Sequence, residues 1–468
     1  MENSKRTQRE KSRIQPRGRT YVAPLYLSTG LGRVREAAKR DSQCRFTSLM
    51  HHMTVDLLGT AYHALNPKAA PGVDEMTWSE YGEGLDERLA VLYERVHRGR
   101  YRAKPSKRIY IPKDDGRQRP IGIAALEDKV VQQAVVWVLQ QIYEEDFLGF
   151  SYGFRPGRGQ HNALDALWVA ITQRKVNWIL DADIRGFFDA IEHGWMVKFL
   201  EHRIGDPRIL RLIKKWLRAG VSEDGEWSKT TVGTPQGAVA SPLLANIYLH
   251  YVLDLWVEQW RKCHAKGEVI VVRYADDFVM GFQYRQEAVQ FQEELKERLA
   301  EFGLELSAAK TRLIEFGRFA VEDRQQRGEG RPETFDFLGF THICARQKKS
   351  GWFTIKRKTI AKRILRKVKE VSNRLRRIRH MPVPEQGKWL RSVVQGFFNY
   401  HAVPGNRDAL DAFRTLLARA WHKSLRRRSQ KARSLKWERM KQLVKNWLPR
   451  PRTLHPYPNQ RLCVSYLR

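Results

Sequence analysis

Two short acidic stretches have the residue types and spacing for phosphate chemistry. In RYADDFVMGF, residues 273–282, Asp276 and Asp277 stand side by side between two apolar half-strands. Neighbours in an extended strand point to opposite faces, but the twist of a hairpin turn lets both carboxylates approach one ion. Burying two like charges is costly without a counter-charge, and a divalent cation supplies it. All-oxygen ligands suit magnesium. By itself the pair reads equally well as an exposed turn. The second stretch, ILDADIRGFFDAI, places Asp181, Asp183 and Asp189 around an apolar strand and the turn behind it. Asp183 ends that strand. Two-ion phosphoryl transfer needs carboxylates converging from separate strands, and Asp183 with Asp276 and Asp277 meets that need. Asp181 and Asp189 read as solvated or capping groups.

Local patterns give the elements that must hold these residues. VNWILDADI and VIVVRYADDFVMGF read as strands, the latter folded on itself at Ala275-Asp276. RIYIPK, 108–113, and PIGI, 120–123, read as a hairpin. Helical spacing is expected over 33–66, 78–98, 127–143, 192–219 and from Ser241 to Trp260. Phe291, Leu295, Leu299 and Phe302 form one helix face, which Gly303 terminates. Two strands are expected at 304–316 and a short one in DFLGF, 336–340. From residue 355 the chain reads as wholly helical, with Ile360, Ile364, Val368, Val371, Leu375 and Ile378 as an apolar stripe.

In order along the chain, RIYIPKDDGRQRPIGIAALEDKVVQQAV, SYGFRPGRGQHNALDAL, Asp183 with IRGFFD, TPQGAVASPLLANIYL and YADD resemble the reverse transcriptases encoded by group II introns. The resemblance runs from about residue 40 to the C-terminus. It implies an α+β right-hand polymerase, with fingers and palm over 76–350 and an α-helical thumb or maturase domain over 351–448. A basic arm and N-terminal extension, 1–75, precede them, and a nucleic-acid-binding segment, 449–468, follows. Two Mg2+ ions are implied on Asp183, Asp276, Asp277 and the Ile184 carbonyl. Phe188 matches the bulky side chain under the incoming sugar, which favours deoxynucleotides. Lys113 and Arg119 match the fingers cations that grip the triphosphate. Gln236 and Gly237 match the loop against the templating pair, Lys310 a lysine that protonates pyrophosphate, and Phe337 to Phe340 the turn that steadies the primer end. For Phe188, Lys113, Arg119, Lys310 and the Phe337 to Phe340 turn the plainer reading is core packing or solvated charge.

The chain has 85 Lys and Arg against 51 Asp and Glu, a net +34, which calls for a polyanionic partner. Residues 355–468 hold 31 of the basic residues and 5 of the acidic ones, so this quarter carries most of the excess. GKWLRSVVQGFFNYHAVPGN and LPRPRTLHPYPNQRL resemble the maturase domain and C-terminal segment of the same family. LRRRSQK, with Arg426, Arg427, Arg428 and Lys431, is the densest patch and the expected site of RNA binding. The implied partners are intron RNA, an RNA template with a DNA primer, deoxynucleotide triphosphates and target DNA. No apolar run is long enough for a membrane span, and the oligomeric state stays open. Cys44, Cys263, Cys344 and Cys463 are scattered, which disfavours a zinc site or disulfides and points to the cytoplasm. No block resembling the family's HNH-type nuclease follows residue 462, so second-strand cleavage is not expected. Other readings are a domesticated relative in phage defence, an RNA-binding splicing factor without synthesis, and a cyclase on a similar palm.

Overall fold

The computed structural model describes residues 29–112, 118–223, 225–228, 232–347 and 350–461. The basic arm 1–20, Lys113 and Cys463 lie outside them. The class is α+β, and the chain divides into two compact units. One takes the described residues of 21–163 and 178–313, and the other those of 164–177 and 314–464.

The first unit is built around helix Leu126–Asp146. Val130, Val131, Ala134, Val135, Val138, Leu139 and Ile142 make this helix apolar nearly all round, so it is buried on all sides. It packs against helices Thr29–Arg40, Val55–Ala64 and Ser241–Leu249. Strands β1 (Ser106–Pro112) and β2 (Gln118–Ile123) form an antiparallel hairpin, Tyr110 opposite Pro120. β3 (Trp178–Asp183) is a strand of a second sheet. β4 (Val221–Glu223) and β5 (Glu226–Ser228) extend the first sheet in the order β2-β1-β4-β5. The second sheet adds β6 (Val269–Tyr274), β7 (Asp277–Phe282) and β8 (Arg312–Glu315), in the order β6-β7-β3-β8.

Two expected helices are broken, each for a local reason. The pattern over 33–66 becomes helices Thr29–Arg40 and Val55–Ala64 with a short turn, Met50–His52, between them. The buried Asp206 carboxylate accepts from the Leu49 and Met50 amides (2.8 and 2.9 Å), which holds that turn out of the helix. Gly84, at φ 68°, splits 78–98 into Trp78–Gly82 and Leu85–His97. Of the two strands expected over 304–316, only β8 forms, and Leu306 makes an isolated bridge to Ile184.

The second unit is not helical from residue 355 as the pattern suggested. β9 (Phe335–Phe337), β10 (Phe340–Arg346) and β11 (Phe353–Thr359) form a three-stranded sheet first. Its period of two was masked by charge: Ile355, Arg357 and Thr359 face inward while Lys356 and Lys358 face solvent. Arg357 is buried because it pairs with buried Asp165 at 2.9 Å. Helices Ala361–Arg377, Val383–His401, Arg407–Arg426 and Trp437–Trp447 follow. Val371, Leu375, Leu390, Val394, Phe413, Leu417 and Trp421 form their shared core. The second of these helices starts at Val383, with Pro384 in its first turn, where the missing N–H costs nothing. No helix among the described residues is long and apolar enough to cross a membrane.

Candidate active site and nucleic-acid interface

The β6–β7 hairpin turns on two residues, Ala275 and Asp276, since Tyr274 pairs with Asp277. Ala275 has φ 57°, the left-handed value a two-residue turn requires at its first position. β7 runs antiparallel to β3 with Asp277 directly opposite Asp183. Like charges facing each other across a ladder are destabilising unless something answers them. The segment after helix Arg285–Ala300 supplies part of the answer. Arg185 N donates to Glu305 O and Ser307 N to Asp183 O, both at 2.8 Å, on either side of Ile184. This brings Lys310 back to β3, where its ammonium lies 2.6 Å from Asp183 Oδ2.

Asp276 and Asp277 both sense the Asp183 charge. Burial raises the Asp276 pKa, and the Asp183 charge raises it further, against the opposing charges of Arg119 and Lys310. Solvent reaches Asp277, yet burial is the largest cause of a pKa well above the usual carboxylate range, with Asp276 and Asp183 adding to it. The site is short of positive charge, and its donors are all oxygen. Among the described residues no group of three or more His, Cys, Asp or Glu side chains is arranged to hold a metal ion by itself.

The other expected nucleotide-binding residues that are described lie in the same unit. Arg119 is exposed on β2, and its charge is felt at Asp276. Gln236 O accepts from Gly122 N at 2.7 Å, which ties the Gln236-Gly237 loop to β2. Gly237 has φ 112°, and a Cβ there would stand 2.9 Å from Gly122 O. Only glycine fits this loop against the strand. Phe188 is half-buried beside buried Phe187, ring centroids 5.4 Å apart, and its carbonyl accepts from Thr234 N at 2.8 Å. Asp189 is exposed, and Asp181 lies 3.8 Å from Arg312.

The sequence reading missed what stands behind the turn. Arg273 is fully buried, and its guanidinium donates to Asp254, Asn246 and the Ala275 carbonyl. An arginine inside the apolar run VIVVRY was the available signal, because a charge there must be paired.

Residues 111–342 match the family described as reverse transcriptase (RNA-dependent DNA polymerase). The chain is 32% identical to protein YkfC of Escherichia coli over 339 residues, covering 63% of this chain and 88% of that protein. It is 27% identical over 419 residues to the group II intron-encoded protein LtrA of Lactococcus lactis, covering 71% of this chain and 66% of that protein. The chain belongs to the reverse transcriptase family. As a reverse transcriptase it is an RNA-directed DNA polymerase. A fission yeast protein encoded in the cob intron is 36% identical over 207 residues, 43% of this chain and 25% of that protein.

In the helical unit of this reverse transcriptase, Arg426 and Arg427 line a cleft of about 900 Å³ with Arg379, His422, Lys423 and Arg433. Among the described residues no acidic side chain borders it. Arg428 instead donates to the His380 carbonyl at 3.0 Å, and Lys431 begins the short turn Lys431–Ser434. The Leu338-Gly339 turn joins β9 to β10 at positive φ, and the Tyr400 hydroxyl donates to the Leu338 carbonyl at 2.7 Å.

Proposed function

We propose that the enzyme is a right-hand polymerase that extends a DNA primer along RNA and also binds its parent group II intron RNA to promote splicing and mobility. Hairpin β1–β2 serves as fingers, the sheet β6-β7-β3-β8 as palm and the helical unit as thumb. The observation that carries this reading is Asp277 standing opposite Asp183 on paired strands, with Asp276 in the adjoining turn.

In the reaction the primer 3′-hydroxyl loses its proton to solvent and its oxygen bonds to the α-phosphorus of a deoxynucleotide triphosphate as the bond to pyrophosphate breaks. Asp183, Asp276, Asp277 and the Ile184 carbonyl would hold two Mg2+ ions. Bound there, the ions supply positive charge to the attacking and leaving oxygens. Arg119, with Lys113, grips the triphosphate by charge-assisted hydrogen bonds. Phe188 lies under the sugar, where a 2′-hydroxyl would clash. Gln236 and Gly237 present backbone to the templating pair. Lys310 delivers a proton to the departing pyrophosphate. The turn within Phe337 to Phe340 steadies the primer end. The cleft at Arg426 and Arg427 tracks the RNA backbone, and its affinity falls with salt as counterions are released.

The test is primer extension on an RNA template with Mg2+ and deoxynucleotide triphosphates. The enzyme extends the primer and Asp276→Ala does not, while Asp276→Ala still promotes splicing of the parent intron RNA. An unmodified enzyme that extends nothing sinks the polymerase reading, and splicing without dependence on the protein sinks the second role.

A further inference from the structure

We propose that Arg273 is a positioning residue, which fixes the backbone of the Ala275-Asp276 turn and so aims the Asp276 carboxylate. The proposal rests on the polymerase reading above and adds a group that does not touch substrate.

Hydrogen bonds from four directions converge on this side chain and its backbone. The guanidinium meets Asp254 through two nitrogens, Nε to Oδ1 at 2.7 Å and Nη2 to Oδ2 at 2.5 Å. Its remaining nitrogen, Nη1, is shared between Asn246 Oδ1 at 3.1 Å and the Ala275 carbonyl at 3.0 Å. The backbone is held as well: Arg273 N donates to Phe150 O and Tyr152 N donates to Arg273 O, each at 2.9 Å. A planar fork of fixed donors locks direction as well as charge, which a lysine cannot do.

The partners are themselves placed for this task. Asp254 closes a π-helical turn, His250–Asp254, inside an otherwise α-helical run, and such an insertion re-phases the residues that follow. Asn246, eight residues earlier, spends its amide on the Gly153 carbonyl at 2.7 Å. Gly153 passes so close to the turn that a Cβ would stand 2.3 Å from Ala275 N. The turn is therefore held from below by a guanidinium and from the side by a glycine. Arg273 and Asp254 are both fully buried, so the pair is costly to desolvate. Apolar residues of similar volume would stabilise the same space at least as well. They would not hold a carbonyl.

That contrast defines the experiment. The double substitution Arg273→Met with Asp254→Leu removes both charges together, and Arg273→Lys keeps the charge pair but loses the fork. Four quantities are read on the full chain: thermal midpoint, template–primer affinity, kcat for primer extension, and Mn2+ affinity of the protein alone by electron paramagnetic resonance. The double variant is expected to melt no lower than the parent and to bind template–primer within twofold. Its kcat falls at least tenfold and its Mn2+ affinity at least threefold, and Arg273→Lys shows the same two losses. A folded double variant with kcat and Mn2+ affinity within threefold of the parent overturns the proposal. Should the double variant not fold, Arg273→Lys with both quantities unchanged overturns it. An inactive parent enzyme would instead overturn the polymerase reading, so the two failures are distinguishable.

Discussion

The Lys310 ammonium and the Asp183 carboxylate form a direct ion pair, 2.6 Å from Nζ to Oδ2, across 127 residues of sequence. Lys310 itself remains largely exposed. The pair places an ammonium beside the carboxylate that faces Asp277. It makes Lys310 more than a solvated charge at a strand end.

Lys310→Met is expected to lower kcat by roughly 10²-fold, the usual scale for losing a positioned proton donor. The KM for the deoxynucleotide triphosphate should change little, because the donor acts on the leaving group. Single-turnover primer extension measures both. A variant that retains its full rate excludes Lys310 from proton delivery.

Phe188→Ala removes a half-buried ring from the short helix Phe187–Ala190 that follows β3. Ribonucleotide incorporation is expected to rise by roughly 10- to 200-fold, the range available to steric selection in an apolar site. Competition between ribo- and deoxynucleotide triphosphates on one template gives the ratio. An unchanged ratio would assign Phe188 to packing alone.

Replacing Arg426 and Arg427 together by Gln removes two cations from the cleft that also holds Arg379 and Arg433. RNA binding should weaken at low salt. The slope of log affinity against log salt should become shallower by roughly 0.7–0.9 for each phosphate no longer neutralised. Filter binding at several salt concentrations tests this, and an identical slope would place the RNA elsewhere.

His342 lies fully buried on β10 with its ring stacked on Phe335, centroids 4.7 Å apart. Burial, aided by the Arg357 charge, pushes it down to about 3. The unfolded chain titrates the same group near 6.5, so the unfolded state takes up the proton first as pH falls. Its contribution to stability is therefore whole above pH 6.5 and is lost as pH drops toward 3, by about 1.4 kcal/mol per pH unit. His401, also pushed down to about 3 by burial and then Arg363, acts in the same direction. His342→Leu should flatten the acid limb by one histidine's share. Urea denaturation at pH 7, 6, 5 and 4 would show it, and an acid limb as steep as the parent's contradicts the assignment.

The sequence by itself determined the chemistry-bearing blocks and the strands that carry Asp183, Asp276 and Asp277. Apolar runs, turn residues and acidic strand ends are local signals, legible over about five to ten positions. The paired strands, the helix from Arg285 and the stripe through Val371 and Leu375 are all of this kind. Tertiary structure decided which charges are inside. Arg357 looked like one more cation on a basic helix, yet it lies on β11 and is buried against Asp165, 192 residues away. Arg273 looked like a strand residue before the acidic turn, yet Asp254 and Asn246 make it the turn's support. A buried charge is tolerable only when a partner neutralises it, and that partner comes from another part of the chain. Sequence periodicity reports which face a residue prefers, and carries no information about who meets it there.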